Sequence, residues 1–418
     1  MPAKHDQMRN TNTLLILEHI RKHGGSTRRS IQQATELSWA TVSNISAELV
    51  SNSVLYEQVR GSHVVGRNPE YLDFVPMQNL TIGLELSAGG ITVLLVDLRG
   101  NIVGCATEPC ADLGREQLIS QMLDCVDRLI QRFGIKYSSL LGIGIATQGS
   151  VDRDGATSLY NSFFRDWRNV PLKEICEKRF GVPTHVMHDP VCMALAEQWT
   201  RRFTEEDDFS MIRLSYGIGM SHIVRGNPVT GNSGFAGELG HMVLDRNGPR
   251  CSCGNRGCLE SYSSLRGIAW RILELAQKKT LELPEYLRQM DRNSLDFMRD
   301  AVQWAAEEAR SGNAAAKALF MDAGYYLGTS IANIINLFNP KYVILSGRLL
   351  QYADLLGQTA QDVAKELSWE ESECKILIAP TDRKQAAMGA ALYYINNAFN
   401  SLESRLLDGE NAKDRIFV

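Results

Sequence analysis

The first seventy-five residues contain three stretches of helical periodicity followed by two of alternating periodicity. Apolar side chains recur every three or four positions in three groups, as on the buried face of an α-helix: Leu14, Leu17 and Ile20; Ile31, Ala34 and Leu37; Val42, Ile45 and Leu49. Gly24 and Gly25 predict the end of the first helix. Residues 54–59 and 70–74 alternate apolar and polar positions, which predicts a two-stranded wing.

Three short helices with a tight turn before the last, followed by a wing, are typical of a winged helix-turn-helix, whose last helix enters the major groove. The candidate DNA-contacting side chains are small polar groups at the third helix and arginines in the wing tip: Ser38, Thr41, Ser43, Asn44, Arg60 and Arg67. Residues 1–68 contain eight basic and five acidic side chains, a charge of +3 on a chain of net charge −4. Because this excess is small, a three-helix dimerisation module is the alternative.

Strands and helices alternate along the remainder of the chain. Apolar runs predict strands over residues 80–86, 91–98, 101–107 and 140–146, with an amphipathic helix over 116–133. Further helices are predicted over 265–276, 295–315, 316–337 and 386–398, and further strands over 342–346 and 374–379. Such alternation predicts an α/β fold.

Composition restricts the class of protein. A chain of 418 residues is long enough for two or three domains. No apolar run approaches the ~20 residues that span a bilayer, and the N-terminal MPAKHDQMRN lacks the apolar segment of a signal peptide. Nine cysteines, three of them in one short loop, are typical of a reducing compartment. We therefore expect a cytoplasmic protein without membrane insertion.

The stretch 231–260, GNSGFAGELGHMVLDRNGPRCSCGNRGCLE, combines a set of metal ligands with two carboxylates. His241, Cys251, Cys253 and Cys258 match the Cys₃His arrangement of structural zinc, so one Zn²⁺ per chain is expected. The alternative is a set of unrelated reduced cysteines on a surface loop. Two acidic residues, Glu238 and Glu260, bracket the metal loop.

The segments GELGHM and CSCGNRGCLE resemble the signature of the ROK family, which contains sugar kinases and sugar-responsive repressors with an actin-like, two-lobed fold. The resemblance implies that Glu238, His241 and Glu260 contact a sugar and that the histidine and three cysteines hold zinc. It also implies a domain order: a winged helix-turn-helix over 1–75, a first actin-like lobe over 79–190 completed by a helix at 385–399, a second lobe over 191–384, and a tail over 400–418.

Three loops test whether the chain resembles the kinases of that family or its repressors. The family's kinases have glycine-rich phosphate loops where this chain has ELSAGG at 85–90, SYGIGM at 215–220 and SGR at 346–348. Glycine-rich loops bind phosphate because backbone N–H groups can approach an anion without Cβ atoms intervening. The altered loops and the winged helix, which the family's kinases lack, together predict a regulator and no enzyme activity.

The residues that would contact a sugar match the family's pattern better than the phosphate loops do. His188 and Asp189 resemble the segment that contains the general base of the family's kinases, so Asp189 is a vestigial base that would bind a sugar hydroxyl. The alternative role of Asp189 is an ordinary helix N-cap. Asn161 resembles an asparagine of the family's substrate loop.

These patterns predict a sugar-responsive transcriptional repressor of carbohydrate genes. Its expected partners are operator DNA, a sugar or sugar phosphate effector, and a second copy of the chain in a homodimer or tetramer. Control by a protein of the sugar phosphotransferase system is a further possibility that the resemblance leaves open. The alternative function is an ATP-dependent hexose or N-acetylhexosamine kinase with an added DNA-binding domain.

Overall fold

The structure, a computed structural model, describes residues 2–59, 70–110, 113–380, 382 and 384–408, with side chains described for residues 9–399 of these ranges. Arg60 and Arg67 of the predicted wing tip lie outside the described residues. The chain forms two compact units. The first combines residues up to Cys192 with those from Lys384 onward, and the second spans Met193–Arg383.

The N-terminal segment folds as the predicted winged helix. Its elements are α1 (Pro2–His23), β1 (Ser26–Thr27), α2 (Arg28–Thr35), α3 (Trp39–Ser51), β2 (Leu55–Val59) and β3 (Glu70–Phe74). The three strands form an antiparallel sheet in the order β1-β3-β2. The Thr27 side chain caps α2 by accepting a hydrogen bond from the Ser30 amide. Ala34 is exposed, contrary to the predicted inward face, because α2 ends one residue later and Glu36 is left-handed.

A five-stranded sheet forms the centre of the first unit. The elements after the wing are β4 (Leu80–Ser87), β5 (Gly90–Val96), β6 (Ile102–Glu108), α4 (Arg115–Phe133), β7 (Leu140–Thr147), β8 (Ser150–Val151), β9 (Ser158–Tyr160), β10 (Arg168–Val170), α5 (Leu172–Phe180), β11 (Thr184–His188) and α6 (Asp189–Arg201). The large sheet has the order β11-β7-β4-β5-β6, and the short strands β8 to β10 form a small antiparallel sheet. β4, β7 and β11 are parallel to one another, so their carboxyl ends meet at one edge of the sheet.

The second unit repeats this sheet. Its elements are β12 (Phe209–Leu214), β13 (Ile218–Val224), β14 (Asn227–Pro228), α7 (Leu259–Ser263), α8 (Leu265–Gln277), α9 (Glu285–Gln289), α10 (Leu295–Arg310), α11 (Ala314–Phe338), β15 (Tyr342–Ser346), α12 (Ala353–Leu367) and β16 (Lys375–Ile378). The strand order β14-β13-β12-β15-β16 matches that of the first unit, since both consist of an antiparallel meander followed by two parallel strands. The α/β fold with an N-terminal winged helix is therefore confirmed.

Two predicted helix boundaries were wrong. The break between the two long helices lies at Gly312, not at residue 315, because Gly312 has φ +103° and the Asn313 side chain caps α11 through the amides of Ala315 and Ala316. The final helix α13 (Gln385–Asp408) extends into the segment predicted as a polar tail.

Helix α13 belongs to the first unit and packs directly against the sheet backbone. A Cβ on Gly83 of β4 would overlap the carbonyl oxygen of Ala387, and one on Gly144 of β7 would overlap that of Ala390. The two glycines therefore allow the helix to approach β4 and β7 more closely than any larger residue would permit.

We predict that Gly144→Ala lowers the free energy of unfolding by about 1–3 kcal/mol, because the added methyl group displaces α13 from the sheet. The measurement is urea or thermal unfolding. The control is Gly357→Ala in α12, where the nearest atom to the new Cβ is the Ala353 Cβ at 3.6 Å. That control should be neutral or stabilising by up to about 1 kcal/mol, since alanine favours a helix more than glycine does. Equal effects of the two substitutions would contradict the packing described above.

Candidate functional site

The predicted metal ligands lie together. The ligand atoms of His241, Cys251, Cys253 and Cys258 are all within 4.8 Å of one another. His241 Nδ1 is 3.6 Å from Cys251 Sγ, and the sulfurs of Cys253 and Cys258 are 3.7 Å apart. Metal–sulfur bonds of ~2.3 Å in a tetrahedral site separate two sulfurs by about 3.8 Å. The four side chains thus have the spacing of a tetrahedral site and could hold a metal ion.

The backbone of the loop explains this convergence. Gly257 has φ +67°, and a Cβ there would overlap the carbonyl oxygen of Asp245, so a larger residue would not fit. The Cys251 amide donates to the Asn255 carbonyl at 2.8 Å, which folds the Cys251–Cys253 segment back on itself. These local backbone contacts bring the cysteine ligands close to one another.

The short distance between His241 and Cys251 shifts the pKa values of both side chains. Hydrogen bonding to Cys251 raises the pKa of His241 to about 8. Burial raises the pKa of Cys251, but its hydrogen bonds with His241 and Cys253 together outweigh burial and lower that pKa to about 7. A histidine and a thiol that share a proton in this way are suited to lose it when a metal ion binds, because the ligand forms are thiolate and neutral imidazole.

Glu260 joins the metal loop to the sheet of the second unit. It lies in α7 and is buried, and its Oε2 accepts a hydrogen bond from the Ile218 amide at 3.2 Å. Its Oε1 accepts one from Ser252 Oγ at 2.9 Å. Because each carboxylate oxygen has two lone pairs, Glu260 can still accept hydrogen bonds from a ligand while being held in one orientation.

Glu238 lies in the same unit, next to a 3₁₀ turn that contains His241. Burial and, to a smaller extent, Glu260 raise the pKa of Glu238, while His241 lowers it. Gly237 has φ +94°, and its carbonyl oxygen accepts a hydrogen bond from the Met220 amide at 2.9 Å, so the segment preceding Glu238 lies directly on β13. Glu238, His241 and Glu260 therefore form one group at the metal loop.

The other predicted sugar residues lie in the first unit. His188 and Asp189 are at the carboxyl end of the parallel strand β11, and Asn161 follows β9 of the small antiparallel sheet. His188 ends β11 and is paired in register with Thr147 at the end of β7. Asp189 is buried and is the first residue of α6, and its Oδ1 lies 3.5 Å from His188 Nε2. Asn161 is also buried. Its Oδ1 accepts a hydrogen bond from the Phe163 amide, and its Nδ2 is buried without a hydrogen bond within the described residues.

Two further polar side chains at this edge were not predicted from the sequence. Gln148 follows β7, is buried, and accepts a hydrogen bond from the Ala88 amide at 2.7 Å. Glu85 is buried on β4 opposite Ala146. The signal that could have identified them is their position near the ends of parallel strands, where ligands bind in open α/β sheets.

The third helix of the winged module presents part of its predicted DNA-binding face. Asn44 is exposed, and Thr41 and Ser43 are half-buried. Ser38 is the N-cap of α3, and its Oγ accepts a hydrogen bond from the Thr41 amide at 3.1 Å. Trp39, the first residue of α3, is 52% exposed and was missed as a candidate. The N-terminal residues of a recognition helix are those that meet base edges.

Two of the altered loops lie side by side in the second unit. Tyr216 is buried, and the Arg348 guanidinium carbon lies 5.8 Å from the centre of its ring. Gly347 has φ +115°, and a Cβ there would overlap the Leu214 backbone. The loop therefore retains a glycine with positive φ at position 347, whereas the next residue, Arg348, is a large cation.

Fold and site together define an α/β protein with a winged helix and a Cys₃His cluster. The sequence model of the ROK family matches residues 81–397, and the chain belongs to that family. It is 29% identical to the xylose repressor of Bacillus subtilis (strain 168), over 82% of this chain and 84% of the relative. It is 26% identical to the DNA-binding transcriptional dual regulator NagC of Escherichia coli (strain K12), over 83% of this chain and 82% of the relative.

Solved structures share the fold. A ROK family transcriptional regulator described as a homolog of the E. coli MLC protein superposes with a TM-score of 0.73 at 23% identity, over 96% of this chain and 99% of its own. A ROK family glucokinase from Streptomyces griseus, in complex with glucose and AMPPNP, superposes with a TM-score of 0.61 at 25% identity. It covers 75% of this chain and 99% of its own. These neighbours confirm the predicted actin-like fold.

Among the residues that the structure describes, no helix has both the length and the apolar character needed to cross a bilayer.

We predict that Cys253→Ser removes most of the bound metal and lowers the thermal midpoint, because a ligand is lost from a four-ligand set. Metal content per chain is measured by elemental analysis, and the midpoint by calorimetry. Cys374→Ser is the matched control, since Cys374 lies in the same unit outside the cluster. Unchanged metal content and midpoint in Cys253→Ser would show that the four residues do not form a metal site.

Proposed function

We propose that the chain is a DNA-binding transcriptional repressor whose affinity for its operator changes when a sugar or sugar phosphate binds. The observation that carries this proposal is the winged helix ahead of the ROK region, because relatives named as repressors align with more than four fifths of the chain. The domain assignment follows: residues 1–75 bind DNA, residues 79–190 with the helix at 385–399 form the first lobe, residues 191–384 form the second, and residues 400–418 follow.

DNA recognition is assigned to the face of α3 and to the wing. Asn44 and Trp39 are exposed at or near the start of α3, where they can meet base edges. Arg60 and Arg67 are assigned to phosphate contacts by their place in the sequence. Since winged helices commonly bind two-fold sites as dimers, the functional form is a homodimer or a tetramer.

The effector contacts are assigned in each unit by itself: Asn161, His188 and Asp189 in the first unit, and Glu238, His241 and Glu260 in the second. Carboxylates and amides suit a sugar because they accept from and donate to its hydroxyl groups. The buried Nδ2 of Asn161 supports the assignment, since a buried donor is rarely left without an acceptor. A protein of the sugar phosphotransferase system is the other candidate effector.

The bound metal is assigned as a structural Zn²⁺, because three thiolates and one imidazole fill a tetrahedral site and leave no position open for catalysis. With His241 a metal ligand and Glu260 fixed to the loop, the ion would hold two of the proposed sugar contacts in place.

The proposed protein has no kinase activity. Tyr216 and Arg348 support this, because a buried phenol and a large cation stand in loops where a kinase would need free backbone N–H groups. The alternative function, a hexose or N-acetylhexosamine kinase with an added DNA-binding domain, predicts that the protein turns over ATP in the presence of its sugar. ATP turnover that Asp189→Asn abolishes would overturn the repressor proposal in its present form.

A route for the effector response runs through the contacts between the winged helix and the rest of the first unit. Arg99, in the turn between β5 and β6, donates to both carboxylate oxygens of Asp73 in β3, at 3.3 and 3.0 Å. Arg21 of α1 donates to Asn396 Oδ1 of α13 at 3.2 Å and lies over the Phe399 ring at 4.8 Å. These side chains connect the sheet and α13 to β3 and α1, and the effector response is assigned to them.

The proposal is tested with fluorescence anisotropy of the upstream DNA at one fixed salt concentration, with free and 6-phosphorylated hexoses and acetamido-hexoses as effectors. We expect Asp189→Asn to weaken binding of the active sugar by roughly 10- to 100-fold, because a hydrogen bond to a charged acceptor is lost. The affinity for DNA in the absence of sugar should be unchanged. Asp124→Asn, on the exposed side of α4, is the control. Absence of specific DNA binding by the parent chain would refute the proposal.

We further predict that Arg99→Ala retains DNA binding but loses much of the sugar response, because the link between the sheet and β3 is removed. Arg128→Ala is the control, since Arg128 pairs with Glu108 at 2.7 Å within the same unit and away from the winged helix. A full response in Arg99→Ala would exclude Arg99 from the route.

A further inference from the structure

A cavity of about 450 Å³ lies between the metal loop and α8 in the second unit. Small-molecule sites have volumes of ~300–1,000 Å³, so this cavity is large enough for a small ligand. The loop contributes Arg250 and Cys251 to its lining, and α8 contributes Trp270 and Glu274. Apart from the metal ligand Cys251, its lining residues have no part in the DNA, sugar or metal sites assigned above.

One part of the lining is apolar. Pro249, Trp270 and Leu273 line the cavity and are half-buried, so part of each side chain is left open to a ligand. The indole of Trp270 is a broad and rigid surface. The Gly257 amide donates to the Pro249 carbonyl at 2.8 Å, which holds the loop side of the cavity in place. These residues suit a ligand that has a flat apolar face.

The remainder of the lining offers hydrogen-bonding groups. Arg250, Glu274 and Gln277 line the cavity and are exposed, and their side chains make no hydrogen bond or ion pair within the described residues. Arg250 and Glu274 therefore do not pair with each other, although both line the same cavity. Together the three side chains offer a guanidinium donor, a carboxylate acceptor and an amide that both donates and accepts.

The charges of the lining restrict the ligand further. Arg271 also lines the cavity, but its Nη2 donates to the Asp322 carboxylate, which neutralises its charge. Arg250 and Glu274 remain, so an anionic ligand would be repelled by Glu274 and a cationic ligand by Arg250. A wholly apolar ligand would displace water from these polar side chains without replacing its hydrogen bonds. The chemistry that fits is an uncharged ligand with several hydroxyl groups and one apolar face.

We infer that this cavity binds a neutral pyranose sugar, in addition to the sugar contacts proposed above. The C–H groups on one face of the pyranose ring pack against the Trp270 indole. Glu274 accepts a hydrogen bond from a hydroxyl group at the rim of the ring, and Arg250 donates one to a hydroxyl oxygen. Because Cys251 also lines the cavity, the bound sugar lies against the metal loop. The inference goes beyond the proposed function, which assigns no ligand to these residues.

The test is fluorine NMR of the full-length chain labelled with fluorotryptophan, which gives one resonance for each of its six tryptophans. Trp270→Leu and Trp304→Leu identify two of these resonances, and the remaining ones check that each variant is folded. Trp304 is the matched control, because it is half-buried in the same unit and does not line the cavity. We expect at least one of xylose, glucose and N-acetylglucosamine to shift the Trp270 resonance and to leave that of Trp304 unchanged.

The same resonance tests the polar contacts. Glu274→Gln should raise the sugar concentration at half-maximal shift by roughly 10-fold or more, because a hydrogen bond to a charged acceptor is weakened. Glucose 6-phosphate should require a higher concentration than the active sugar, since Glu274 repels its phosphate group. Asp189→Asn, which alters a proposed sugar contact of the first unit, should leave the shift of Trp270 unchanged.

Three results would overturn the inference. The first is a Trp270 resonance that none of the three sugars shifts. The second is glucose 6-phosphate acting at a lower concentration than any of them. The third is a shift that disappears in Asp189→Asn, because the response would then belong to the sugar contacts of the first unit. Absence of specific DNA binding, with the Trp270 shift present, would refute the proposed function alone and support the cavity as a separate sugar site.

Discussion

The close contact between α13 and the sheet of the first unit is the constraint on which the rest of that unit depends. Gly83 and Gly144 bring the helix against β4 and β7, and β7 pairs with β11, which ends at His188 of the proposed sugar contacts. The other side of the same helix meets Arg21 of α1. One helix therefore fixes the sheet that would sense a ligand and the first helix of the module that would bind DNA.

The metal loop was the most predictable part of the site because its four ligands lie within eighteen residues of sequence. His241, Cys251, Cys253 and Cys258 needed only local turns to converge, and glycine at 257 is a local signal of such a turn. The repeated strand order was predictable in outline, since apolar runs and helical periodicity mark each element. The break between α10 and α11 was misplaced because alanine favours a helix on both sides of Gly312.

The less predictable parts depend on contacts between distant segments. Gln148, which follows β7, accepts a hydrogen bond from the Ala88 amide, and no sequence pattern around either residue predicts this contact. Ser38 shows a different difficulty: a polar residue before a helix suits both DNA and the cap of α3, and its hydrogen bond to the Thr41 amide is visible only in the structure. Where one residue type suits two roles, only the geometry of the structure distinguishes them.

The position of α13 at the far end of the chain affects how the protein is made. Residues 193–383 form the second unit, so the ribosome must synthesise that whole unit before the helix that covers β4 and β7 exists. Until then the sheet of the first unit exposes an apolar face, which is the kind of surface that chaperones bind and that aggregates. A nascent chain would carry its DNA-binding helices long before it carries the helix that supports α1. Complete synthesis is therefore a condition for a properly supported DNA-binding module.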